Sequence, residues 1–204
     1  MNKLEQKKKE KKDSLLSTAF NLFTTSGFNK TSISDIAKNA GVGKGTFYLY
    51  FRDKYDIRNK LIAHKSDELF TKAYLSLLNK KEITTLEDKI IYIIDYLIDE
   101  LNENQVLLNF ISKNLSWGIF KAALTNYTPQ DASEIDFYSV YMTMVNDDAY
   151  KIDNPEVMLF LIIELVGSTI YSAILYNEPL PIKELKPYLY SVVRNIIKEH
   201  SVEK

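Results

Sequence analysis

No cysteine occurs among the 204 residues, which excludes disulfides and thiolate metal ligands and makes a reducing, cytoplasmic compartment the natural setting. Only two histidines are present, His64 and His200, too far apart in the chain to suggest a metal-ligand spacing, so no metal and no cofactor is expected. No glycine-rich phosphate loop occurs either, and nothing resembles a nucleophile beside a base. The chain is read as a non-enzyme. Glycine (six) and proline (five) are scarce and fall between periodic segments, as in a mostly helical protein with short loops. A secretion signal is lacking too, because the lysine-rich start has no apolar stretch before Ser14. One run, 157–175, is apolar with a single charge and long enough to raise the question of a membrane span. Ser168, Thr169 and Ser172 soften it and no basic flank follows, so a core-plus-interface helix is expected instead.

What is present is an uneven charge. Residues 1–60 hold 13 Lys+Arg against 6 Asp+Glu, a net +7, and residues 61–204 hold 13 against 21, a net −8. A basic end beside an acidic body suits phosphate binding, since counterion release supplies the sequence-independent part of nucleic-acid affinity. The lysines at 7, 8, 9, 11 and 12 have two readings, a solvated terminus or phosphate contacts.

Within the basic end, residues 31–54 read T-S-I-S-D-I-A-K-N-A-G-V-G-K-G-T-F-Y-L-Y-F-R-D-K. Ser32 and Asp35 form a capping box that opens a short helix, whose Ile33, Ile36, Ala37 and Ala40 share one face before Gly41 ends it. Gly43 can take the N-cap geometry for a second helix over 44–51. Two short helices joined by a tight glycine turn make a helix-turn-helix, whose second helix enters the DNA major groove. Phe47 and Phe51, four residues apart, face the core. Lys44, Thr46, Tyr48 and Tyr50 supply a cation and three hydroxyls for phosphates, while Gly45 and Leu49 permit close approach to base edges. For Tyr48 and Tyr50 a half-buried packing role is the other reading. A first helix over 8–26, with Leu15, Leu16, Ala19, Phe20, Leu22 and Phe23 in phase and Gly27 as its stop, completes a three-helix module.

The stretch 27–54 resembles the signature of TetR-type transcriptional repressors, roughly T-x-x-x-I-A-x-x-A-G-V-S-x-G-T-L-Y-x-Y-F-x-x-K. The resemblance implies that Thr31 or Ser32 contacts a phosphate, that Lys44, Gly45, Thr46, Tyr48 and Tyr50 face an operator, and that Lys54 reaches the DNA backbone from the next helix. Gly43 departs from the pattern, standing where the family usually has Ser. The implied function is a repressor that binds a palindromic operator in double-stranded DNA as a homodimer and is released by a small apolar or aromatic effector. A regulator of this kind without small-molecule control, and an all-helical interaction module, are the alternatives.

Downstream, apolar periodicity predicts helices over 53–78, 85–101, 105–126 with a joint near 114–117, and 129–150, then a most apolar one from Pro155 and a last one beginning between Lys183 and Lys186. The expectation is an all-α chain with a helix-turn-helix domain at 1–52 and a larger helical ligand-binding and dimerisation domain at 53–204. Phe110, Trp117, Phe120, Tyr127, Phe137, Tyr138 and Tyr141 concentrate in the middle of that body, where they serve either as plain core or as a pocket lining. By resemblance this region holds the inducer, with Glu164 as a charged candidate. The resemblance likewise implies a dimer interface made by the last two helices, at Val157, Leu161, Gly167, Leu189, Val193 and Ile196.

Overall fold

A computed structural model describes residues 3–112 and 137–202. These residues divide into two compact units, with the boundary between His64 and Lys65.

The first unit begins with α1 (Lys3–Thr25), longer than its apolar stripe because Lys, Gln and Glu are strong helix formers and neither Gly nor Pro interrupts them. Gly27, at φ +88°, turns the chain out of it in a left-handed conformation that side chains with a Cβ rarely adopt. α2 (Ile33–Asn39) opens on the expected capping box, with the Ser32 Oγ accepting from the Asp35 amide and the Asp35 carboxylate accepting from the Ser32 amide. Gly41, at φ +69°, turns the chain toward α3 (Lys44–Tyr48). α3 is shorter than its expected 44–51. The amides of Leu49 and Tyr50 reach back three residues to Thr46 and Phe47, a tighter turn that closes the helix. α4 (Lys54–Leu77) follows, and its first turns belong to this unit.

Leu15, Leu16, Ala19, Phe23, Ile36, Ala37, Phe47, Phe51, Ile57, Leu61 and Ile62 form the buried core of this unit. Burial of a side chain of the larger kinds stabilises by about 1.5–3 kcal/mol. The domain boundary proposed from the sequence, 52/53, falls just before α4, whereas the compact unit extends to His64 because Ile57, Leu61 and Ile62 belong to its core.

In the second unit α5 (Leu86–Glu103) starts at Thr85, whose hydroxyl accepts from the Asp88 amide. It is followed by α6 (Gln105–Ser112), α7 (Phe137–Asn146), α8 (Pro155–Leu175) and α9 (Ile182–His200). α8 packs most extensively on α9 and then on α6. The last helix starts earlier than expected, with Pro181 as N-cap, so Pro187 falls inside the helix rather than in its first turn. A short antiparallel pair, β1 (Lys151–Ile152) with β2 (Ser201–Val202), was not expected from the sequence. It ties the chain end to the segment entering α8, and the Asp153 amide donates to the His200 carbonyl at 2.7 Å.

A polar seam joins α5 to α9. The Lys186 ammonium lies 2.6 Å from Asp95 and 2.5 Å from Asp99, Tyr190 donates to Asp95, and Arg194 pairs with Glu87 and Asp88. Burial alone would raise the Asp95 pKa, but the hydrogen bonds from Lys186 and Tyr190 outweigh it and hold the carboxyl below its ordinary range.

Candidate nucleic-acid interface

Phe47 and Phe51 lie in the core with ring centroids 5.5 Å apart. Anchoring α3 by this face turns Lys44, Gly45, Tyr48 and Leu49 outward, and all four are exposed, Leu49 at 80 %. Thr46 and Tyr50 are half-buried on the flanks. The Tyr48 ring rests edge-on against Phe47 at 5.6 Å, so its orientation is set by packing while its hydroxyl end faces outward. Gly43 caps α3 in an extended conformation with no side-chain bond. The outer surface of α3 thus combines one ammonium, hydroxyls for phosphate oxygens and an apolar tip for base edges.

Three positions singled out in the sequence do other work. Thr31 is buried at 3 % exposure, and its hydroxyl donates to the carbonyls of Gly27 at 2.9 Å and Leu22 at 3.3 Å. It secures the turn after α1 and offers nothing to a phosphate. Ser32 is exposed, but its hydroxyl and amide are both bonded to Asp35. The Lys54 ammonium turns inward, donating to the Phe28 carbonyl at 2.8 Å and the Thr31 carbonyl at 3.0 Å, and lies 4.4 Å from the Phe28 ring centre. Lys54 braces the α1–α2 turn instead of projecting from α4, because its long stem lets the charge reach the carbonyls of that turn.

Sequence reasoning missed Lys60, whose ammonium donates to the Tyr50 carbonyl at 3.3 Å, and Arg52, exposed beside Asp56. Their only signal was a basic residue close after the recognition segment.

Residues 15–61 match the family model described as bacterial regulatory proteins, tetR family. The N-terminal module belongs to the TetR family. Over 107 residues the chain is 31 % identical to the uncharacterized HTH-type transcriptional regulator YuxN of Bacillus subtilis, a match covering 48 % of this chain. It is 30 % identical over 89 residues to the fatty acid metabolism regulator protein of Bacillus subtilis, covering 44 % of each chain. The match to YuxN spans 36 % of that relative's length. Solved structures share the fold. The regulator FadR from Bacillus subtilis, solved in complex with stearoyl-CoA, aligns at a TM-score of 0.62 with 17 % identity over 90 % of this chain and 98 % of that one. A TetR-family regulator from Haemophilus influenzae aligns at 0.58 with 19 % identity over 97 % and 100 %. The expected all-α fold, with its helix-turn-helix module and helical body, is thus the TetR-family fold.

Among the described residues of the second unit, those expected around an effector do not converge on one site. Tyr138 lines a cleft of about 480 Å³ together with Met142, Asn154, Pro155, Glu156, Val157 and Phe160. Tyr141 is buried beside it and donates to the Pro155 carbonyl at 2.7 Å, and burial, with Tyr138 adding, pushes its pKa up. Phe137 packs edge-on against Phe70 at 4.2 Å, and Phe110 is buried in the core. Glu164 is exposed on the outer face of α8, apart from the residues lining this cleft. Trp117, Phe120 and Tyr127 lie outside the described residues.

The proposed dimer residues divide by helical phase. Val157 and Leu161 are exposed on α8 at 48 % and 41 %, Gly167 is half-buried, and Ile196 is half-buried on α9. Leu189 and Val193 are buried at 3 % and 0 % against their own subunit. The exposed apolar residues of α9 are Tyr188 and Val192, one position earlier in each turn. This corrects the expectation, since residues already buried in one chain have no surface left for a partner. Among the described residues α8 is long and apolar enough to cross a membrane, with 39 % of its apolar stretch buried within the chain.

Proposed function

We propose that this chain is a DNA-binding transcriptional regulator, a cytoplasmic repressor that grips a palindromic operator as a homodimer and lets go when a small apolar or aromatic effector binds. The outward face of α3, fixed by buried Phe47 and Phe51, is the observation that carries the reading. Lys44, Tyr48 and Tyr50 supply phosphate contacts and Gly45 and Leu49 approach the bases. A two-fold dimer reads half-sites one helical turn apart, about 34–36 Å. Val157, Leu161, Tyr188, Val192 and Ile196 give the two-fold partner an apolar surface on α8 and α9, where exposed apolar residues otherwise cost solubility. The chain performs no catalysis in this reading.

The effector reading rests on the cleft beside Tyr138, whose volume falls within the usual range for ligand sites, and on a relative solved with a fatty-acyl thioester. α4 carries residues of both units and is the element through which effector binding would bias the DNA-binding module. The size of that bias equals the effector's differential affinity for the two states.

A duplex selected from a random-sequence pool by the purified protein tests the DNA reading. At equal salt a Lys44→Ala, Tyr48→Ala double variant is expected to bind it at least tenfold more weakly, and unchanged affinity would remove the groove assignment. Effector control is tested by thermal shift against acyl and aromatic compounds, because a ligand at a hundred times its Kd stabilises the native state by roughly 2.7 kcal/mol. A regulator without small-molecule control shows no shift.

A further inference from the structure

The cleft beside Tyr138 has two sides. Tyr138 and Met142 reach it from α7, and the other side is the consecutive run 154–157 with Phe160, at the start of α8. The chain turns sharply as it enters that run, because Asn154 sits at φ +48°, a left-handed conformation that asparagine tolerates but that neighbouring contacts must hold. Two elements supply those contacts. From α7, the Tyr141 hydroxyl donates to the Pro155 carbonyl at 2.7 Å. From outside the cleft, the end of α9 grips Asp153, the residue just before the run.

That grip is double. The Asp153 amide donates to the His200 carbonyl at 2.7 Å, and the Asp153 carbonyl accepts from the His200 ring Nδ1 at 2.7 Å. A carbonyl only accepts, so Nδ1 carries the proton. The pairing continues with Ile152 opposite Ser201 and Lys151 opposite Val202, and Ile152 is buried. The Ser201 hydroxyl donates to the Ile197 carbonyl at 2.8 Å, which fastens β2 to the last turn of α9.

Two strands of two residues are too short to be stable by themselves. Their pairing depends on what adjoins it, and the cleft-lining run follows β1 directly. An occupant resting on residues 154–157 favours the state in which Asp153 is gripped, and by linkage the grip favours the occupant.

We propose that His200 and β2 form a strap that positions the α8 side of the cleft, so that ligand binding there and pairing of β1 with β2 strengthen each other. The inference rests on the effector reading of this cleft given above. His200 is not among the lining residues. It is a positioning residue that acts through Asp153.

The test uses the full chain and one probe, anilinonaphthalene sulfonate, an amphiphilic dye that brightens in apolar clefts. Met142→Trp fills the cleft from the α7 side and should abolish dye binding there. His200→Leu removes the ring donor and is expected to weaken dye binding at least about fivefold, the low end of an ordinary coupling between sites. His200→Asn keeps an N–H where Nδ1 stood and should retain most of the affinity, a rescue that a general packing role would not give. In the wild type, saturating dye should slow hydrogen exchange at the Asp153 amide, and this readout decides the matter even if the Leu variant fails to fold. Affinity that His200→Leu leaves unchanged, affinity that His200→Asn fails to retain, or an Asp153 exchange rate untouched by bound dye overturns the strap and leaves the effector reading standing. Dye that does not bind the wild type, or that binds Met142→Trp equally well, overturns the effector reading and the strap with it.

Discussion

The two units bury apolar side chains by the same helical periodicity yet leave opposite surfaces outside. In residues 1–64 what remains exposed on the recognition helix is an ammonium, a tyrosine hydroxyl and one leucine tip. In residues 65–204 the outer faces of α8 and α9 expose Val157, Leu161, Tyr188 and Val192, while acidic Asp95, Asp99, Glu100 and Glu103 border a groove along α5. A helix with an apolar stripe says only that something covers that stripe. In the proposed reading the residues left over decide the partner: a polyanion for the first unit, a second apolar face for the second.

The largest expected effect breaks the second half of that contrast. Leu161→Glu with Val192→Glu buries unpaired charges if α8 and α9 meet a second copy, and should raise the dimer dissociation constant at least about a thousandfold, or ~4 kcal/mol. Sedimentation velocity reads it, and an unchanged assembly state would mean that the exposed stripe serves another purpose. One position along, Leu189→Ala should cost about 2–5 kcal/mol of unfolding free energy, because it opens a cavity inside each subunit. Denaturant titration measures the loss, and a stability unchanged by this substitution would contradict the observed phase of α9.

A smaller pair of effects sharpens the contrast within the first unit. Thr31→Val should lower stability by about 1–3 kcal/mol, since the carbonyls of Gly27 and Leu22 lose their hydroxyl donor. Lys44→Ala should leave the melting temperature in place and reduce the salt slope of DNA binding by about 1. If Thr31→Val instead altered the salt slope at constant stability, its hydroxyl would be reaching DNA.

The smallest effect is on pH. Asp95 has a folded pKa below its unfolded value of about 3.9. Its contribution is present above that value and lost as pH falls through the folded pKa. The carboxylate is 45 % exposed, so solvent screening limits the contribution to under about 1 kcal/mol. Acid titration of wild type and Asp95→Asn should show wild type losing its advantage below about pH 4.

Much of this was legible in the residues. Ser32 three before Asp35, and Thr85 three before Asp88, mark helix starts that the structure reproduces. Phe47 and Phe51 at a spacing of four declare the inner face of the recognition segment, and Pro155 the start of α8. The phase of α9 was not legible. Leu189, Val192, Val193 and Ile196 are apolar at adjacent angles, so periodicity alone does not say which two turn inward. Lys54 was misread for a related reason. A charge at a helix start reads as outward, and only the position of the Phe28 to Thr31 turn gives its ammonium two carbonyls to serve.

By itself the sequence determined the helical class, the helix-turn-helix and its inner face, the family resemblance and the division of charge between the two ends. These follow from spacing along one chain, where 3.6 residues per turn and the chemistry of caps are local matters. Tertiary structure alone decided that Thr31 and Lys54 hold the module together and that α9 shows Tyr188 and Val192 rather than Leu189 and Val193. Each of those depends on which distant surface a side chain finds opposite it, and no period in the chain records that.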